Sequence, residues 1–559
     1  MKITDKDITM IASEKIEKKN KLIADWDALL RTFVRPENEK AKATLIKYME
    51  QILFELQDFL KAHVGITEEI SLPELCSHFT DTKISKDPEK KLTTAINDIV
   101  KNLAPYAVNI ASPYFIGHMT SAIPFFMVHL KTIVTALNQN VNKLETSKVT
   151  SIVEKQVLAK IHRLIYNNSD SFYNIHVQNP YTTLGAFVEG GTSANFTALW
   201  VARNLCFAAK DGFKGVEAEG LAAAYAAYNI KRSVILVSRR GHFSLKKAAG
   251  FLGIGNQNII AVDVDNKQQI NFTKLQEQIK KYTKDKHTKI LAVVGIAGTT
   301  ETGTVDPLKK IAGICKENNI YFHVDAAWGG PTLMSEKYKY LLDGIELADS
   351  VTIDGHKQFY MPIGCGMVYF KDPHYMEAVA YHSNYVNRPG SVDLGIKSIA
   401  GSREANSLVL DSSLKIMGTK GYALLIDHGI ETAALFANEI KNRQCFELIT
   451  PPKLNILTYR ICPNHYKNQL RQADPTEKWQ ITKKLNAINR TVQRIQREAG
   501  FSFVSRTRLI PDIESKIELV VLRSVIMNPM TDLDILKEIL DEQEKIYHDK
   551  FSEIGSNIF

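Results

Sequence analysis

A series of short apolar segments between residues 181 and 370, separated by helical patterns, constrains the fold more than any other feature. Each segment is apolar throughout and is bounded by Gly, Asp or Ser. Such segments are typical of strands buried on both faces, as parallel strands are when helices cover each side of a sheet. The pattern therefore predicts an α/β domain with a mostly parallel central sheet. The segments are GAFVEGG, RSVILVS, ILAVVGIAG, IYFHVDAA, SVTIDGH and CGMVYF.

The pattern changes on both sides of this region. Residues 1–110 are rich in Lys and Glu and have apolar residues at helical spacing, which predicts an N-terminal helical segment. Residues 111–407 are expected to form the large α/β domain. Residues 408–559 begin with a long helical pattern and continue as a mixture of strands and helices, which predicts a small α+β domain. With 45% hydrophobic residues, the chain can bury a large core, so disorder as the main state is excluded.

Composition limits location and partners only broadly. The net charge of +9 favours contact with anions without naming one. The sequence lacks both a run of about 20 apolar residues and an apolar secretory signal at its start, so we expect a cytoplasmic protein without a membrane partner. Six dispersed cysteines without a C-x-x-C pair argue against a metal cluster and a disulfide framework. The basic run at 280–289 contains one aromatic residue and reads as a solvated loop, so no nucleic-acid partner is expected.

The ends of the predicted strands are where ligands of such sheets bind. The first strand runs into Gly190, Gly191, Thr192 and Ser193 and then into a predicted helix. Glycines allow a phosphate to approach the backbone, and a helix N-terminus with hydroxyl groups supplies hydrogen-bond donors. The alternative is an ordinary turn in which Ser or Thr caps the helix.

Two further strand ends carry Asp325 and, 32 residues later, Lys357. A buried carboxylate and a buried lysine are costly unless they serve a ligand or each other. Pyridoxal 5′-phosphate (PLP) requires this pair, because a lysine amine forms a Schiff base with its aldehyde and a carboxylate keeps its pyridine nitrogen protonated. Taken singly, Asp325 is equally a helix cap and Lys357 a surface lysine. His242 follows another strand, where its ring could cover the cofactor or simply be a satisfied polar residue.

The motifs GGTSAN, His242, AGTTETGTVDP, HVDAAWGG and DGHK, in this order, resemble the group II PLP-dependent amino-acid decarboxylases, which have the type I aminotransferase fold. The resemblance runs from about Ser112 to the C-terminus. It implies PLP-dependent α-decarboxylation by a homodimer. Segments such as LNQNVNKLETSK and AGSREAN are most similar to the bacterial aspartate 1-decarboxylase subfamily, which implies conversion of L-aspartate to β-alanine and CO2. Glutamate decarboxylation, other lyase chemistry and transamination remain open, because cofactor motifs do not fix which bond breaks.

The resemblance also implies roles for individual residues at the cofactor. One departure is that Asp354 and Gly355 precede the His-Lys pair, where many relatives have Asn or Pro. Lys357 would form the Schiff base, Asp325 would pair with the pyridine nitrogen, His242 and Ala327 would lie on opposite ring faces, Gly191, Thr192, Ser193 and His356 would hold the phosphate, and Thr299 would lie near the ring substituents.

Substrate residues are less constrained by the sequence. Arg403 is a candidate contact for a substrate carboxylate, because a guanidinium binds carboxylates bidentately; the alternative is a structural salt bridge. His118 and Thr120 match a segment that lines the substrate pocket in relatives, or they belong to a plain loop. The polar loop YHSNYVNRPGS contains Tyr381 and Tyr385. Relatives protonate Cα with a loop tyrosine, and Tyr385 is the expected one.

Overall fold

A computed structural model describes residues 39–65, 72–383, 391–511 and 516–551, together with residues 25, 26 and 29. They belong to two compact units, one formed by residues up to 112 with 497–502 and the other by residues 113–496 with those from 503 onward. The domain boundaries expected after residues 110 and 407 stay a prediction. The first lies close to the division between the two units, and the second falls inside the larger unit.

The first unit contains helices joined by turns and irregular segments where it is described. Asn109 closes the end of its second helix, since its side-chain amide donates to the carbonyls of Phe59, Leu60 and Ala62 at 3.3, 3.2 and 2.8 Å. Carbonyls at the end of a helix lack an N–H partner four residues on. The helices are α1 (Glu39–Glu55), α2 (Gln57–Lys61), α3 (Leu72–Ser77) and α4 (Leu92–Asp98).

A seven-stranded sheet forms the centre of the second unit, and all six predicted segments contribute a strand to it. The strand order is β1-β7-β6-β5-β4-β2-β3. Strands β2 to β6 are parallel to one another, and β7 lies antiparallel between β6 and β1, so the sheet is mostly parallel as predicted. The strands are β1 (Gly185–Val188), β2 (Arg232–Ser238), β3 (Ile259–Val262), β4 (Thr288–Ile296), β5 (Tyr321–Asp325), β6 (Ser350–Asp354) and β7 (Gly366–Phe370).

Both faces of this sheet are buried, which explains why its strands lack polar alternation. In β2, Val234 and Leu236 pack in one hydrophobic cluster, whereas Ile235 and Val237 pack in another. Helices therefore cover the sheet on each side. The α-helices in this part of the chain are α5 (Phe126–Leu137), α6 (Leu144–Ser147), α7 (Val149–Tyr166), α8 (Asp170–His176), α9 (Gly191–Cys206), α10 (Val216–Ala227), α11 (Phe243–Phe251), α12 (Phe272–Lys284) and α13 (Leu308–Glu317).

The C-terminal region is α+β, as predicted. Its long helix is interrupted at Gly418, whose φ of 61° is a left-handed conformation that favours glycine. The antiparallel sheet that follows has the order β10-β11-β9-β8. No helix in the described ranges is long and apolar enough to cross a membrane. The elements are α14 (Asn406–Asn442), β8 (Phe446–Thr450), β9 (Ile456–Ile461), α15 (Asn464–Gln472), α16 (Pro475–Ala499), β10 (Ser505–Leu509), β11 (Leu519–Val525) and α17 (Leu533–Phe551).

Candidate active site

A cavity of about 360 Å³ opens at the carboxyl ends of β1, β4, β5 and β6. Eight of the residues predicted to bind a cofactor line it together, although they are far apart in the sequence. The described residues contain no cluster of His, Cys, Asp and Glu arranged for a metal ion. The lining residues are Glu189, Gly190, Gly191, Thr192, Ser193, Asn195, Arg240, His242, Ile296, Gly298, Thr300, Asp325, Ala327, Trp328, Asp354, His356 and Lys357.

The start of α9 has the properties of a phosphate site. The helix begins at Gly191, and its N-cap residue Gly190 makes no side-chain cap. The hydroxyls of Thr192 and Ser193 therefore do not cap the helix, and they line the cavity instead. A Cβ atom at Gly191 would lie 2.8 Å from Asp354 Oδ2, so only glycine fits there. The N–H groups of a first helical turn have no partner within the helix and favour an anion.

Asp325 is a buried carboxylate at the end of β5, with a residual exposure of 5%. Its Oδ2 accepts a hydrogen bond from Asn195 Nδ2 at 2.9 Å, and its Oδ1 accepts one from the backbone N–H of Ala327 at 3.2 Å. No cation among the described residues pairs with it. A buried carboxylate held by neutral donors beside a cavity suits a protonated ring nitrogen from a ligand.

Lys357 forms an ion pair with Asp354, a residue that sequence reasoning did not include in the site. The Lys357 Nζ lies 3.0 Å from Asp354 Oδ2. Asp354 is 2% exposed, and its Oδ1 is buried without a hydrogen-bond partner among the described residues. The sequence signal for Asp354 was its position before the His-Lys pair, where many relatives have Asn or Pro. Because this pair holds the ammonium group at the cavity wall, Asp354 positions the amine.

His356 lines the cavity beside Lys357. Its Nδ1 lies 2.7 Å from the carbonyl oxygen of Cys365, which leaves Nε2 for a ligand. Gly355 makes this turn possible, since its N–H donates to the same carbonyl at 3.0 Å and a Cβ there would lie 2.6 Å from Cys365 Sγ. The turn before Lys357 is therefore well defined.

His242 caps α11 and also lines the cavity. Its Nδ1 lies 3.3 Å from the backbone N–H of Ser244 and 2.9 Å from the Ser244 hydroxyl. Burial lowers the pKa of His242 and the charge of Lys357 lowers it further, while the carboxylates of Asp325 and Asp354 act in the opposite direction. The ring therefore favours the neutral form.

Thr299 does not line the cavity. Its side chain is fully buried, and its hydroxyl lies 2.7 Å from that of Thr302 and 3.1 Å from that of Thr304. The tight turn between β4 and α13 points the hydroxyl into this threonine cluster. The neighbours Gly298 and Thr300 contribute to the cavity wall instead.

Arg403 is held in a buried structural ion pair rather than directed at the cavity. Its Nη1 and Nη2 donate to the two carboxylate oxygens of Glu154 at 2.8 and 2.5 Å, and Nη2 also donates to Asn142 at 3.2 Å. The side chains of Arg403 and Glu154 are 7% and 1% exposed. The predicted contact with a substrate carboxylate is replaced by this bidentate contact within the chain.

The remaining predicted substrate residues lie outside the cavity wall. His118 Nδ1 is 3.2 Å from Thr120 Oγ1. The surrounding protein and the charges of Arg523 and Lys357 lower the pKa of His118, which places its ring within electrostatic range of the site. Tyr385 lies outside the described residues, and its role stays a prediction.

Arg523 is the functional candidate that sequence reasoning missed. It lies on β11, is 7% exposed, and donates only to neutral oxygens: to the carbonyl of Thr300 at 2.6 Å and, from Nη1, to the carbonyl of Gly117 at 3.1 Å and the hydroxyl of Ser505 at 3.2 Å. Its Nη2 is buried without a hydrogen-bond partner among the described residues. Burial lowers its pKa to about 10, so it remains charged at neutral pH. The available signal was an arginine inside the apolar run LVVLRSV.

Comparison with known proteins identifies the family. Residues 73–462 match the family model of the pyridoxal-dependent decarboxylase conserved domain. The chain belongs to this family. It is a PLP-dependent amino-acid decarboxylase, as the cofactor motifs predicted.

Individual members of the family match over most of this decarboxylase. Aspartate 1-decarboxylase of Aliivibrio fischeri is 44% identical over 94% of the chain and 95% of that protein. The acidic amino acid decarboxylase GADL1 of Xenopus tropicalis is 29% identical over 85% of the chain and 87% of that protein.

Solved structures confirm the fold of the decarboxylase. The glutamate decarboxylase domain of a diaminobutyrate-pyruvate transaminase and L-2,4-diaminobutyrate decarboxylase from Vibrio parahaemolyticus superposes with a TM-score of 0.78 at 21% identity, covering 94% of this chain and all of that one. Mouse CSAD superposes with a TM-score of 0.77 at 22% identity, covering 91% of this chain and all of that one.

Proposed function

We propose that this decarboxylase removes the α-carboxylate of L-aspartate and releases β-alanine and CO2. The single observation that carries the proposal is the buried guanidinium of Arg523, whose Nη2 has no hydrogen-bond partner in the described ranges. Arg523 also donates to the carbonyl of Thr300, which lines the cavity. The similarity to an aspartate 1-decarboxylase supports the choice of substrate.

The charge of Arg523 explains why an acidic substrate fits. A buried charge without a counter-charge is costly, and a ligand carboxylate removes that cost. Glu301 is the acidic residue that favours the charged form of Arg523, but it is paired with Arg240 at 2.9 Å. The α-carboxylate must leave as neutral CO2, so tight binding of that group would oppose the reaction. Arg523 therefore binds the side-chain carboxylate of the substrate.

The other cavity residues divide the remaining tasks. When bound, PLP supplies an electron sink for the bond to Cα that breaks. Lys357 is the amine that would hold the cofactor covalently, and Asp325 would keep a proton on its ring nitrogen. Gly191, Thr192, Ser193 and His356 would bind the phosphate, while His242 and Ala327 would pack against the ring. Tyr385 would supply the proton to Cα, with His242 Nε2 as a second donor.

Product analysis of the PLP-loaded protein tests the proposed reaction. We expect L-aspartate to give equimolar CO2 and β-alanine, with a kcat/KM at least about tenfold above that for L-glutamate, because one methylene changes pocket binding by about 1–3 kcal/mol. L-2,4-Diaminobutyrate and L-tryptophan serve as cationic and aromatic comparisons. A preference for either of them, or a keto acid as the main product, would contradict the proposal.

Substitution of Arg523 tests the carboxylate contact separately. Arg523→Gln should lower kcat/KM for L-aspartate by about a hundredfold, because a charge-assisted hydrogen bond and its buried charge pair are lost. Succinate should protect the cofactor absorbance from loss on treatment with borohydride. This protection should be weaker in Arg523→Gln than in the wild type. Arg508→Gln on the neighbouring strand β10 is the matched control, since Arg508 is 69% exposed. Equal succinate affinity in wild type and Arg523→Gln would reject the contact.

We also propose a cytoplasmic homodimer. Helix α5 supports dimer formation, because Ile133 and Leu137 lie one helical turn apart on one face and are exposed by 52 and 47%. Exposed apolar patches mark interaction surfaces, and a second copy of this chain is the proposed occupant of this apolar face of α5. All six cysteines are free, four of them buried, which suits a reducing compartment.

A further inference from the structure

Two buried side chains, Asn195 and Ser244, connect Asp325 to His242, and His323 and Ser350 extend from Asn195 on its other side. Asn195 donates from Nδ2 to Asp325 Oδ2 at 2.9 Å and to Ser244 Oγ at 3.0 Å. The Ser244 hydroxyl is 2.9 Å from His242 Nδ1. On its other side, Asn195 Oδ1 lies 3.0 Å from His323 Nε2, and His323 Nδ1 lies 2.8 Å from the hydroxyl of Ser350. Asn195 is 1% exposed, and His323 and Ser244 are 0% exposed.

The proton positions in this chain follow from one charged group. The ionised carboxylate of Asp325 can only accept, so the amide of Asn195 must turn its NH2 group toward it. Asn195 Oδ1 then requires a donor, which His323 Nε2–H provides. Complete burial lowers the pKa of His323, so its ring is neutral and its Nδ1 accepts from Ser350.

The hydrogen bonds from Asn195 through Ser244 to His242 also have a defined direction. Because Ser244 Oγ accepts a hydrogen bond from Asn195 Nδ2, the Ser244 hydroxyl hydrogen is free to point at His242 Nδ1. His242 Nδ1 also faces the backbone N–H of Ser244 at 3.3 Å. The backbone N–H of Ser244 can only donate to Nδ1, and the Ser244 hydroxyl can donate alongside it, so a proton on that nitrogen would cost both hydrogen bonds. The imidazolium form of His242 is opposed by the orientation of its neighbours.

We propose that Asn195 is a positioning residue that couples the two ring-contacting groups: while Asp325 is ionised, Asn195 orients Ser244 so that His242 stays neutral with its proton on Nε2. His323 anchors the amide. The charged groups that face His242 are Lys357, Asp325 and Asp354, together with Arg240 in the same cavity wall. One carboxylate thus determines both the ring-nitrogen contact and the protonation of the residue stacked on the ring.

Removal of the Ser244 hydroxyl tests the coupling in the PLP-loaded protein. NMR of protein labelled with ¹³C at histidine Cε1 follows the titration of His242, and the signal is assigned by its absence in His242→Gln. Loss of a hydrogen bond to the neutral ring should raise the titration midpoint by at least about half a pH unit in Ser244→Ala. Ser244→Thr, which keeps a hydroxyl, should restore the wild-type midpoint.

Ser413→Ala is the matched control. Ser413 is a fully buried serine whose hydroxyl lies 2.6 Å from that of Tyr422, and neither residue lines the cavity. Its removal should leave the His242 midpoint unchanged. Equal midpoints in wild type, Ser244→Ala and Ser244→Thr would overturn the proposal.

The role of Asn195 itself is tested by combining substitutions. Asn195→Leu preserves volume but removes the donors, so PLP affinity, measured by fluorescence quenching, should fall about tenfold or more because Asp325 loses a hydrogen bond. In this background Ser244→Ala should shift the His242 midpoint by less than half of its effect in the wild type, because the hydroxyl is no longer oriented. Equal shifts in both backgrounds would remove Asn195 from the chain of hydrogen bonds. If Asn195→Leu does not fold, Asn195→Ser is used in the same cycle.

None of these measurements uses a substrate. The inference rests on the cofactor roles of Asp325 and His242 and is independent of the choice of aspartate. An enzyme that prefers another amino acid would refute the substrate proposal and leave the His242 titration as the test of the coupling.

Discussion

Two buried arginines show how surroundings decide the role of a side chain. Arg403 has a bidentate carboxylate partner in Glu154, so its charge is already compensated inside the protein. Arg523 has carbonyl and hydroxyl partners but no carboxylate in contact among the described residues. The charge of Arg403 is thus compensated within the chain, although its Nε is buried without a hydrogen-bond partner in the described ranges. Arg523 would gain its counter-charge from the acidic ligand that we propose.

A prediction for the structural pair follows. Glu154→Met should lower the free energy of unfolding of the protein by about 3–5 kcal/mol, because it leaves the Arg403 charge buried and unpaired. The double substitution Glu154→Met with Arg403→Met should recover most of that loss, since it removes both charges. Urea unfolding of the cofactor-free protein measures these differences. The double variant should keep the wild-type KM for L-aspartate; a KM raised tenfold or more would return Arg403 to the substrate site.

The sequence could not distinguish these two arginines, because the distinction depends on partners more than a hundred residues away. Asp325 and Lys357 were predictable, since each follows an apolar strand and their chemistry is specific. The role of Thr299 stays a prediction, although its neighbours Gly298 and Thr300 line the cavity and Thr299 does not. Asn195 belongs to the motif GGTSAN, but its hydrogen bond to Asp325, 130 residues later in the chain, could not be inferred from that motif.

At the scale of elements, the antiparallel strand β7 packs against the turn that begins α9 at the edge of the cavity. Its first residue, Gly366, pairs with Val188 of β1 and with Asp354 of β6. A Cβ at this position would lie 2.5 Å from the backbone of Gly190. The strand therefore approaches the turn that begins α9 as closely as glycine allows.

Gly366→Ala should disturb this turn. We expect a loss of about 1–3 kcal/mol of stability, as is usual for overpacking, and weaker PLP binding because the N-terminus of α9 moves. Thermal unfolding and fluorescence titration with PLP measure the two effects. Gly313→Ala is the control, because Gly313 lies inside α13 with open space around it, and alanine there should be neutral or stabilising. Normal PLP affinity in Gly366→Ala would contradict the packing argument.

The elements themselves were largely predictable. Six of the seven strands of the large sheet follow from uninterrupted apolar segments. Strand β3 (Ile259–Val262) was missed, because it has four residues, pairs with β2 alone and leaves Ala261 exposed. The antiparallel direction of β7 was also beyond the sequence, since burial on both faces is the same for either direction.

At the scale of the whole molecule, the apolar face of α5 predicts self-association. Ile133→Glu should shift the protein from dimer to monomer at micromolar concentration, because a charge buried in an apolar interface is costly. Light scattering after size-exclusion chromatography measures the mass of the particle. Leu347→Glu, at a residue 41% exposed on another element, is the control and should leave the mass unchanged. A monomeric wild type, or a dimeric Ile133→Glu, would contradict the proposed interface.

Arg523 stands on the small C-terminal sheet, whereas Lys357 and Asp325 follow strands of the large one. In the proposed function, substrate recognition therefore belongs to the small sheet and cofactor binding to the large one, and Arg523 reaches the carbonyls of Thr300 and Gly117. The proposal predicts that substitutions around β11 alter which amino acid is accepted without changing the groups around the cofactor. A search for altered substrate preference should begin with libraries at the neighbours of Arg523.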